Sequence, residues 1–372
     1  MISFQRVSGR FSRNCFASTI RLQRQCRDLT EHFSIKISGG EIAERIRQES
    51  EAEMQKLSSF YREKPYAPIL WQSQEEASSF VRKNIDAILF DCDGVLYRSP
   101  DPIFGAKECI ENMMDAGKKV LFVTNNAGIN RRQLKDKLAK ILSTDYLMEG
   151  QMIPASYSAA KYLQKAQAKK EIAGNRVHVI GSQGLCEELK GFGFDVTGGP
   201  SEESAEMDRE ELADYSFSEH PIDAVVVGHD VAFTFRKLAI ANVLLQKNPD
   251  AILIATNRDS FDLVGAEGRH IPGNGCVVAA LEHCSRRTAI NVGKPSTELA
   301  SLIQEEHSLD LSKAMFVGDR LDTDIKFGAD TGMVSALVMT GVTTTDIMVR
   351  LQDGNNEEPL PTAILAHVGQ IL

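Results

Sequence analysis

The chain has 372 residues, of which 42% are hydrophobic and 25% are charged, and its formal net charge is −9. This composition is typical of a soluble globular protein that is large enough for two domains, and an acidic surface of this kind repels nucleic acid. No apolar run approaches the ~20 residues of a membrane span. The seven cysteines include no CxxC pair. The sequence therefore predicts no nucleic-acid partner, no membrane span, no disulfide framework and no zinc site.

The amino-terminal segment differs in charge from the rest of the chain. Residues 1–27 contain six arginines and no acidic residue, whereas the remaining 345 residues carry 36 basic and 51 acidic groups. An Arg-rich, Ser-rich and acid-free start resembles an organellar transit peptide. We therefore predict a transit peptide at 1–27 and mitochondrial localisation, with the cytoplasm or a plastid as alternatives. A basic tail without a targeting role is the other interpretation.

Residues 28–80 are predicted to form an amino-terminal extension. The stretch 41–60 is rich in helix formers but has only a weak apolar stripe, so a surface helix and a solvated linker both fit it. Ser73 and Glu76 have the spacing of a capping box, which predicts a short helix at 74–82.

From residue 85 onward, strand and helix signals alternate. The apolar run AILF (87–90) is followed by a helical pattern and then by VLFV (120–123). A similar alternation near the carboxyl terminus contains AMFVGD (314–319) and SALVMTG (335–341). Strand, helix and strand in this order form a βαβ unit, so we predict an α/β fold with a Rossmann-like parallel sheet.

About 130 residues between these two halves carry strand signals of their own. These signals are VHVIG, AVVVG and AILIAT, at 177–181, 224–228 and 251–256, and a helical pattern at 235–246 lies between the last two. This order predicts a second α/β domain that is inserted into the first. The predicted limits are 81–167 and 288–372 for the core domain, and 168–287 for the inserted domain.

Polar residues follow the predicted strands of the core. Asp91, Thr124 and Asp319 each stand at or just past the carboxyl end of a strand. In open parallel sheets, ligands bind beyond these ends. We therefore expect the three side chains to lie close together and to form a functional site.

Four polar clusters fit phosphoryl transfer when they are taken together. They are Asp91 and Asp93; Thr124, Asn125 and Asn126; Lys294; and Asp319, Asp322 and Asp324. A carboxylate can attack phosphorus, a second carboxyl can move protons, and hydroxyl and ammonium groups can bind the phosphoryl oxygens. A hard divalent cation such as Mg²⁺ would relieve the repulsion among the acids. Each cluster alone also fits a turn or a surface loop.

The segments DCDGVLY (91–97), VTNN (123–126), VGKPS (292–296) and GDRLDTD (318–324) resemble, in order, the four motifs of the haloacid dehalogenase (HAD) superfamily of aspartate-based phosphatases. Three further segments are similar to cap-domain signatures of the branch that contains phosphoglycolate phosphatase, pyridoxal phosphatase and the 4-nitrophenylphosphatases. These segments are AVVVGHD, ATNRD and PGNGC, at 224–230, 255–259 and 272–276. The resemblance implies that the inserted domain is an α/β cap over the site.

The resemblance also implies a role for each site residue. Asp91 would be the nucleophile and a Mg²⁺ ligand, and Asp93 would be the general acid and base, with its backbone carbonyl on the metal. Thr124, Asn125 and Asn126 would bind phosphate. Lys294 would neutralise the phosphate and the nucleophile. Asp319 would be a metal ligand and Asp324 would orient Lys294 or metal-bound water, whereas Asp322 is taken as structural.

The predicted function is therefore hydrolysis of small phosphate monoesters by a Mg²⁺-dependent phosphatase, through an aspartyl-phosphate intermediate. The leading substrate is 2-phosphoglycolate; pyridoxal phosphate and a broad 4-nitrophenyl phosphatase activity are alternatives, and an inactive metabolite-binding protein is a remote one. Ala232 stands where the animal pyridoxal and phosphoglycolate enzymes carry histidine, which puts pyridoxal phosphate in doubt. The expected partners are a small phosphorylated metabolite and a second copy of the chain, bound through the cap.

Cys92 lies between the two aspartates of the first motif. A small packed residue is the simple interpretation, and an oxidation-sensitive switch is the alternative.

Overall fold

The computed structural model describes residues 39–62, 64, 67–200, 221–264, 269–351 and 359–371. The predicted transit peptide at 1–27 lies outside these residues. No helix within them is long and apolar enough to cross a membrane.

The described residues form eleven α-helices and sixteen strands. The strands are β1 (Ile69–Leu70), β2 (Ala87–Phe90), β3 (Tyr97–Arg98), β4 (Asp101–Pro102), β5 (Lys119–Thr124), β6 (Met152–Pro154), β7 (Arg176–Ile180), β8 (Asp195–Gly198), β9 (Ala224–Val227), β10 (Ile252–Ala255), β11 (Phe261–Val264), β12 (Arg269–Pro272), β13 (Ile290–Asn291), β14 (Ala314–Gly318), β15 (Val334–Val338) and β16 (Ala363–Leu365). The helices are α1 (Gly39–Tyr61), α2 (Gln74–Asn84), α3 (Ala106–Asp115), α4 (Arg131–Leu142), α5 (Ala155–Ala168), α6 (Gln183–Gly191), α7 (Phe235–Lys247), α8 (Asn274–Ser285), α9 (Thr297–His307), α10 (Lys326–Thr331) and α11 (Thr345–Arg350).

A parallel sheet of seven strands carries the polar motifs. Its order is β1-β16-β15-β14-β2-β5-β6, and every neighbouring pair is parallel. All residues of β2 and β14 are buried, as expected for central strands of a sheet that is covered on both faces. The predicted parallel α/β fold is confirmed.

A second parallel sheet has five strands in the order β13-β10-β9-β7-β8. Its strands come from residues 176–291. One buried apolar cluster around Val177, Val179 and Val226 lies on one face, and another around Val225, Val227 and Leu253 lies on the other. Successive residues of a strand point to opposite faces, so these clusters follow from the continuous apolar runs in the sequence. The domain limits drawn from the sequence remain predictions.

The stretch at 41–60, which the sequence left open between helix and linker, belongs to helix α1. Met54, Leu57 and Tyr61 are buried in one apolar cluster with residues of the seven-stranded sheet, including Leu337 and Ile364. The predicted helix at 74–82 is also present, as α2, and the Ser73 hydroxyl accepts a hydrogen bond from the Glu76 amide at 3.3 Å.

Candidate active site

Three neighbouring strands bring the predicted site residues to one edge of the large sheet. Strands β14, β2 and β5 are adjacent, and Asp319, Asp91 and Thr124 stand at their carboxyl ends. The Asp91 amide continues the strand pairing by donating to the Val317 carbonyl at 2.9 Å. The parallel register therefore fixes the positions from which these side chains project.

Lys294 joins two of the aspartates inside this site. Its Nζ lies 2.5 Å from Asp91 Oδ1 and 2.7 Å from Asp324 Oδ1, and its side chain is only 3% exposed. Burial alone would lower the pKa of Lys294, but the charges of Asp324 and Asp91 outweigh burial and raise it. The two carboxylates therefore favour the charged ammonium form of Lys294.

The carboxylates of the site are crowded and buried. Oxygens of Asp91, Asp319 and Asp324 all lie within 4.8 Å of one another. Burial raises the pKa of Asp91, an effect that Lys294 opposes, and burial followed by repulsion from Asp324 and Asp91 raises the pKa of Asp319. One ammonium group does not balance three carboxylates, so the donor set fits a hard divalent cation with oxygen ligands.

Asp324 is held by protein groups on both of its oxygens. Its Oδ1 receives Lys294, and its Oδ2 accepts the backbone N–H groups of Asp319 at 3.0 Å and Arg320 at 3.1 Å. Asp324 lies in a π-helical turn, Leu321–Ile325, and such turns are frequent at functional sites. These contacts tie Asp324 to Lys294 and to the backbone of Asp319 and Arg320.

Asp319 is hydrogen-bonded by a second loop and closely approached by two glycines. Its Oδ2 accepts the Val342 amide at 2.7 Å, and its backbone carbonyl accepts the Thr343 hydroxyl at 2.6 Å. A Cβ atom at Gly341 would stand 1.8 Å from Asp319 Oδ2, and one at Gly94, whose φ is +81°, would stand 2.6 Å away. Glycine is therefore required at both positions to leave room for this carboxylate.

Asp93 differs from the other aspartates of the site because its side chain is exposed. The Tyr97 hydroxyl donates to Asp93 Oδ2 at 2.7 Å, and Lys137 donates to the Tyr97 oxygen at 2.8 Å. This chain of hydrogen bonds fixes the carboxyl group while leaving it in reach of water. Such a position suits a group that moves protons.

Asn125 connects the carboxyl end of β5 to the Lys294 segment and to the second sheet. Its Oδ1 accepts the Lys294 amide at 2.8 Å, and its Nδ2 donates to Asp259 Oδ1 at 2.9 Å. Its backbone carbonyl accepts from Asn257 Nδ2 at 2.7 Å. The side-chain amide of Asn125 is thus engaged by the protein and positions the segments around the site.

Thr124 and Asn126 form a compact turn after β5. Thr124 Oγ1 accepts the Asn126 amide at 3.2 Å, and Asn126 Oδ1 accepts the Gly128 amide at 2.7 Å. The Thr124 hydroxyl keeps its proton for a further acceptor in the site.

Asp259 is a site residue that the sequence reasoning did not select. Burial raises its pKa, and it accepts the hydrogen bond from Asn125. The signal for it was the segment ATNRD, at the end of the apolar run of β10.

Asp322 forms an ion pair with the Arg320 guanidinium at 2.8 Å, and this guanidinium lies 4.9 Å from the centre of the Phe261 ring. The structure therefore places Asp322 in an ion pair beside the site.

Cys92 is completely buried. Burial and then the charges of Asp91 and Asp93 raise the pKa of its thiol, which disfavours the reactive thiolate. These observations favour the packed-residue interpretation over the oxidation-sensitive switch.

Two family models match the chain. Residues 88–195 match the model described as haloacid dehalogenase-like hydrolase, and residues 291–370 match the HAD-hydrolase-like model. The two matched segments contain all strands of the seven-stranded sheet except β1 and the first residue of β2.

Known proteins with similar sequences or structures include three phosphatases. Phosphoglycolate phosphatase 2 of Arabidopsis thaliana is 36% identical over 295 residues, which cover 79% of this chain and 94% of that protein. Glycerol-3-phosphate phosphatase of Gallus gallus is 36% identical over 275 residues, which cover 73% and 85%. The structure of p-nitrophenyl phosphatase from Archaeoglobus fulgidus has a TM-score of 0.63 at 26% identity and covers 77% of this chain and 98% of that one.

The chain therefore belongs to the haloacid dehalogenase-like hydrolase family. Within this family it is a phosphatase, of the branch that includes phosphoglycolate phosphatases and 4-nitrophenylphosphatases.

Proposed function

We propose that this phosphatase hydrolyses 2-phosphoglycolate, that Asp91 is its nucleophile and that Mg²⁺ is its cofactor. The observation that carries the proposal is the buried group of Asp91, Lys294, Asp324 and Asp319 at the ends of adjacent strands. The relative named phosphoglycolate phosphatase 2, which this chain matches over 94% of its length, supports the choice of substrate.

One carboxylate oxygen of Asp91 is held by a protein group, and the other is available to attack phosphorus. Lys294 holds Oδ1, and within the described part of the chain no protein donor pairs with Oδ2. In the first step an Asp91 oxygen attacks phosphorus, the ester P–O bond breaks and an aspartyl phosphate forms. In the second step water attacks the phosphorus of this intermediate, and inorganic phosphate leaves as the Asp91 carboxylate is restored.

Asp93 moves the protons in both steps. It gives a proton to the departing ester oxygen and then takes one from the attacking water, so its protonation state returns to the start after each turnover. The hydrogen bond from Tyr97 keeps the carboxyl group in a fixed orientation for both transfers.

The remaining groups bind and neutralise the phosphoryl group. Lys294 supplies a positive charge beside Asp91, and the Thr124 hydroxyl is a donor at the end of the neighbouring strand. Asn126, whose backbone N–H donates to Thr124 Oγ1, and Asn125, whose side chain holds the Lys294 segment, support this set.

Mg²⁺ would be held by the carboxylates of Asp91 and Asp319 and by the backbone carbonyl of Asp93. When bound, it supplies positive charge that offsets repulsion between the carboxylates and the phosphate. Asp324 stays outside this set because protein donors occupy both of its oxygens.

The inserted domain selects the leaving group in this proposal. Asp259 and Asn257, just past the end of β10, contact Asn125 by hydrogen bonds, so residues of the inserted domain border the site. A cap of this kind admits small phosphate monoesters more readily than folded phosphoproteins.

A phosphate-release assay tests the proposal. The panel holds 2-phosphoglycolate, pyridoxal phosphate, glycerol 3-phosphate and 4-nitrophenyl phosphate, each with and without Mg²⁺. We expect the highest kcat/KM for 2-phosphoglycolate, no turnover by Asp91→Asn, and normal turnover by the exposed control Asp115→Asn. A higher kcat/KM for another substrate would refute the substrate choice, and normal rates for Asp91→Asn would refute the mechanism.

We further propose mitochondrial import, which the six arginines and absence of acids in residues 1–27 support. A fusion of residues 1–38 to a fluorescent protein tests import, and a plastid or cytoplasmic signal would contradict it.

We also propose a homodimer through the inserted domain, supported by two exposed apolar side chains, Val231 and Phe235. Sedimentation velocity should give a dimer, and Val231→Asp should give a monomer; a monomeric wild type would contradict the proposal.

A further inference from the structure

Helix α1 lies outside both segments that match the family models, and it contacts the 340–345 loop, which holds Asp319, and the π-helical turn that carries Asp324. One contact is polar, through Glu53, and the other is apolar, through Leu57.

The polar contact leads to Asp319. Glu53 Oε2 accepts the backbone N–H of Thr345 at 3.0 Å, and the Thr345 hydroxyl donates to the Glu53 carbonyl at 3.4 Å. Thr345 is the first residue of α11, where a helix has unpaired N–H groups and favours a carboxylate. Val342 and Thr343, which shortly precede it, both donate hydrogen bonds to Asp319.

The apolar contact leads to Asp324. Leu57 is fully buried, in the same cluster as Leu321 and Ile325. These two residues are the ends of the π-helical turn that contains Asp324. Since Asp324 holds Lys294 at 2.7 Å, a shift of this turn would move the ammonium group as well.

We propose that Glu53 is a positioning residue of the active site: through Thr345 it fixes the 340–345 loop, and thereby the Asp319 carboxylate, in the orientation that binds the divalent cation. This inference rests on the proposed function, because it concerns Asp319 as a metal ligand. It extends that function to a helix that neither family model includes. The effect is indirect, since Glu53 itself contacts neither the cation nor the substrate.

The test is direct Mg²⁺ binding by isothermal titration calorimetry, together with Mg²⁺-dependent phosphate release by the full chain. Glu53→Ala should weaken Mg²⁺ binding about tenfold, as expected when a partner outside the ligand set is removed. It should lower the rate at subsaturating Mg²⁺ and leave KM for the substrate at saturating Mg²⁺ unchanged. Glu53→Gln, which keeps a carbonyl acceptor, should recover most of the affinity.

Two controls on the same helix separate positioning from general damage. Glu49→Ala removes an exposed carboxylate that forms an ion pair with the exposed Arg45. Lys56→Ala removes the other partner of Glu53, at 2.5 Å, but leaves the Thr345 contact in place. Both variants should bind Mg²⁺ within about twofold of the wild type.

Thr345→Pro provides an independent variant in case Glu53→Ala folds poorly. Proline lacks the N–H that Glu53 accepts, and it is tolerated at the first position of a helix. The preceding residue, Thr344, has φ −112° and ψ 166°, which proline permits in its neighbour. Thr345→Pro should weaken Mg²⁺ binding as much as Glu53→Ala does, and the double variant should be no weaker than either single one.

Hydrogen exchange in the absence of Mg²⁺ supplies a readout that does not depend on activity. Faster exchange in Glu53→Ala, confined to peptides over 319–325 and 340–345, supports the proposal. Unchanged Mg²⁺ affinity in both Glu53→Ala and Thr345→Pro would overturn it, whatever their thermal stability. A wild type without Mg²⁺-dependent phosphatase activity would instead refute the proposed function.

Discussion

Lys294 Nζ lies 2.5 Å from Asp91 Oδ1 although 203 residues separate the two in the chain. The same ammonium group lies 2.7 Å from Asp324, so Lys294 links the end of β2 to the π-helical turn that follows β14. The site therefore depends on a charge balance that holds only when both halves of the core are folded together.

The first prediction concerns this charge balance. Lys294→Met should lower kcat at least about 100-fold, because a positive charge beside the reacting group is lost. Without Mg²⁺ the variant should also be about 3–5 kcal/mol less stable, since two buried carboxylates lose their partner. Urea unfolding with and without Mg²⁺ measures this, and added Mg²⁺ should recover part of the loss. Lys313→Met, at an exposed site, is the control; equal stability of both variants would contradict the prediction.

The second prediction concerns the space around Asp319. Gly341→Ala would place a Cβ atom 1.8 Å from Asp319 Oδ2, so the carboxylate or the loop must move. We expect weaker Mg²⁺ binding and a loss of about 1–3 kcal/mol of stability, which is typical of overpacking.

Gly191→Ala is the matched control for this variant, because a Cβ atom there meets nothing within 4 Å. It should behave as the wild type in both calorimetry and urea unfolding. Wild-type Mg²⁺ affinity in Gly341→Ala would show that the glycine is not needed for the metal site.

The third prediction concerns pH and stability. Burial lowers the pKa of His178 to about 4, below the value of about 6.5 in the unfolded chain. The unfolded state therefore binds more protons in this window, and stability that is present above pH 6.5 is lost as the pH falls toward 4. The expected loss is about 3 kcal/mol.

Urea unfolding at about pH 7 and about pH 4.5 measures the effect of His178. His178→Gln should lose less stability than the wild type between these two conditions, whereas the exposed control His283→Gln should match the wild type. An equal pH dependence in all three proteins would contradict the assignment to His178.

The fourth prediction concerns Cys92. Because its thiol is buried and its pKa is raised, native protein treated with iodoacetamide should be labelled at the exposed Cys276 and Cys284 but not at Cys92. Wild type and Cys92→Ser should lose activity to peroxide at the same rate. Protection by Cys92→Ser would instead establish a redox switch at this position.

The sequence predicted the elements that carry strong local signals. Strand β2 coincides with the run AILF, and α7 matches the helical stretch predicted at 235–246, because continuous apolar runs and one-sided stripes are local properties. The edge strand β1 and its neighbour β16 are only two and three residues long and have no such signal. Their formation depends on pairing with each other and with β15.

Helix α1 shows why part of the site was not predictable. Its buried residues are on one narrow face and include Ile46, Ser50, Met54, Leu57 and Tyr61. Because one of them is a serine, the apolar stripe in the sequence appeared weak. The contact between Glu53 and Thr345 spans 292 residues, and no local pattern encodes it. Asp259 was missed for a similar reason, since only the folded chain brings it to Asn125.

The central claim is that Asp91 attacks phosphorus at the site formed with Lys294, Asp319 and Thr124. A crystal structure with Mg²⁺ and beryllofluoride, which mimics a phosphorylated carboxylate, tests it most directly. We predict that beryllium is bonded to an Asp91 carboxylate oxygen, with its fluorines near Lys294 and Thr124 and the metal on Asp91 and Asp319. Beryllofluoride bound to another carboxylate, or found away from this group of residues, would contradict the account.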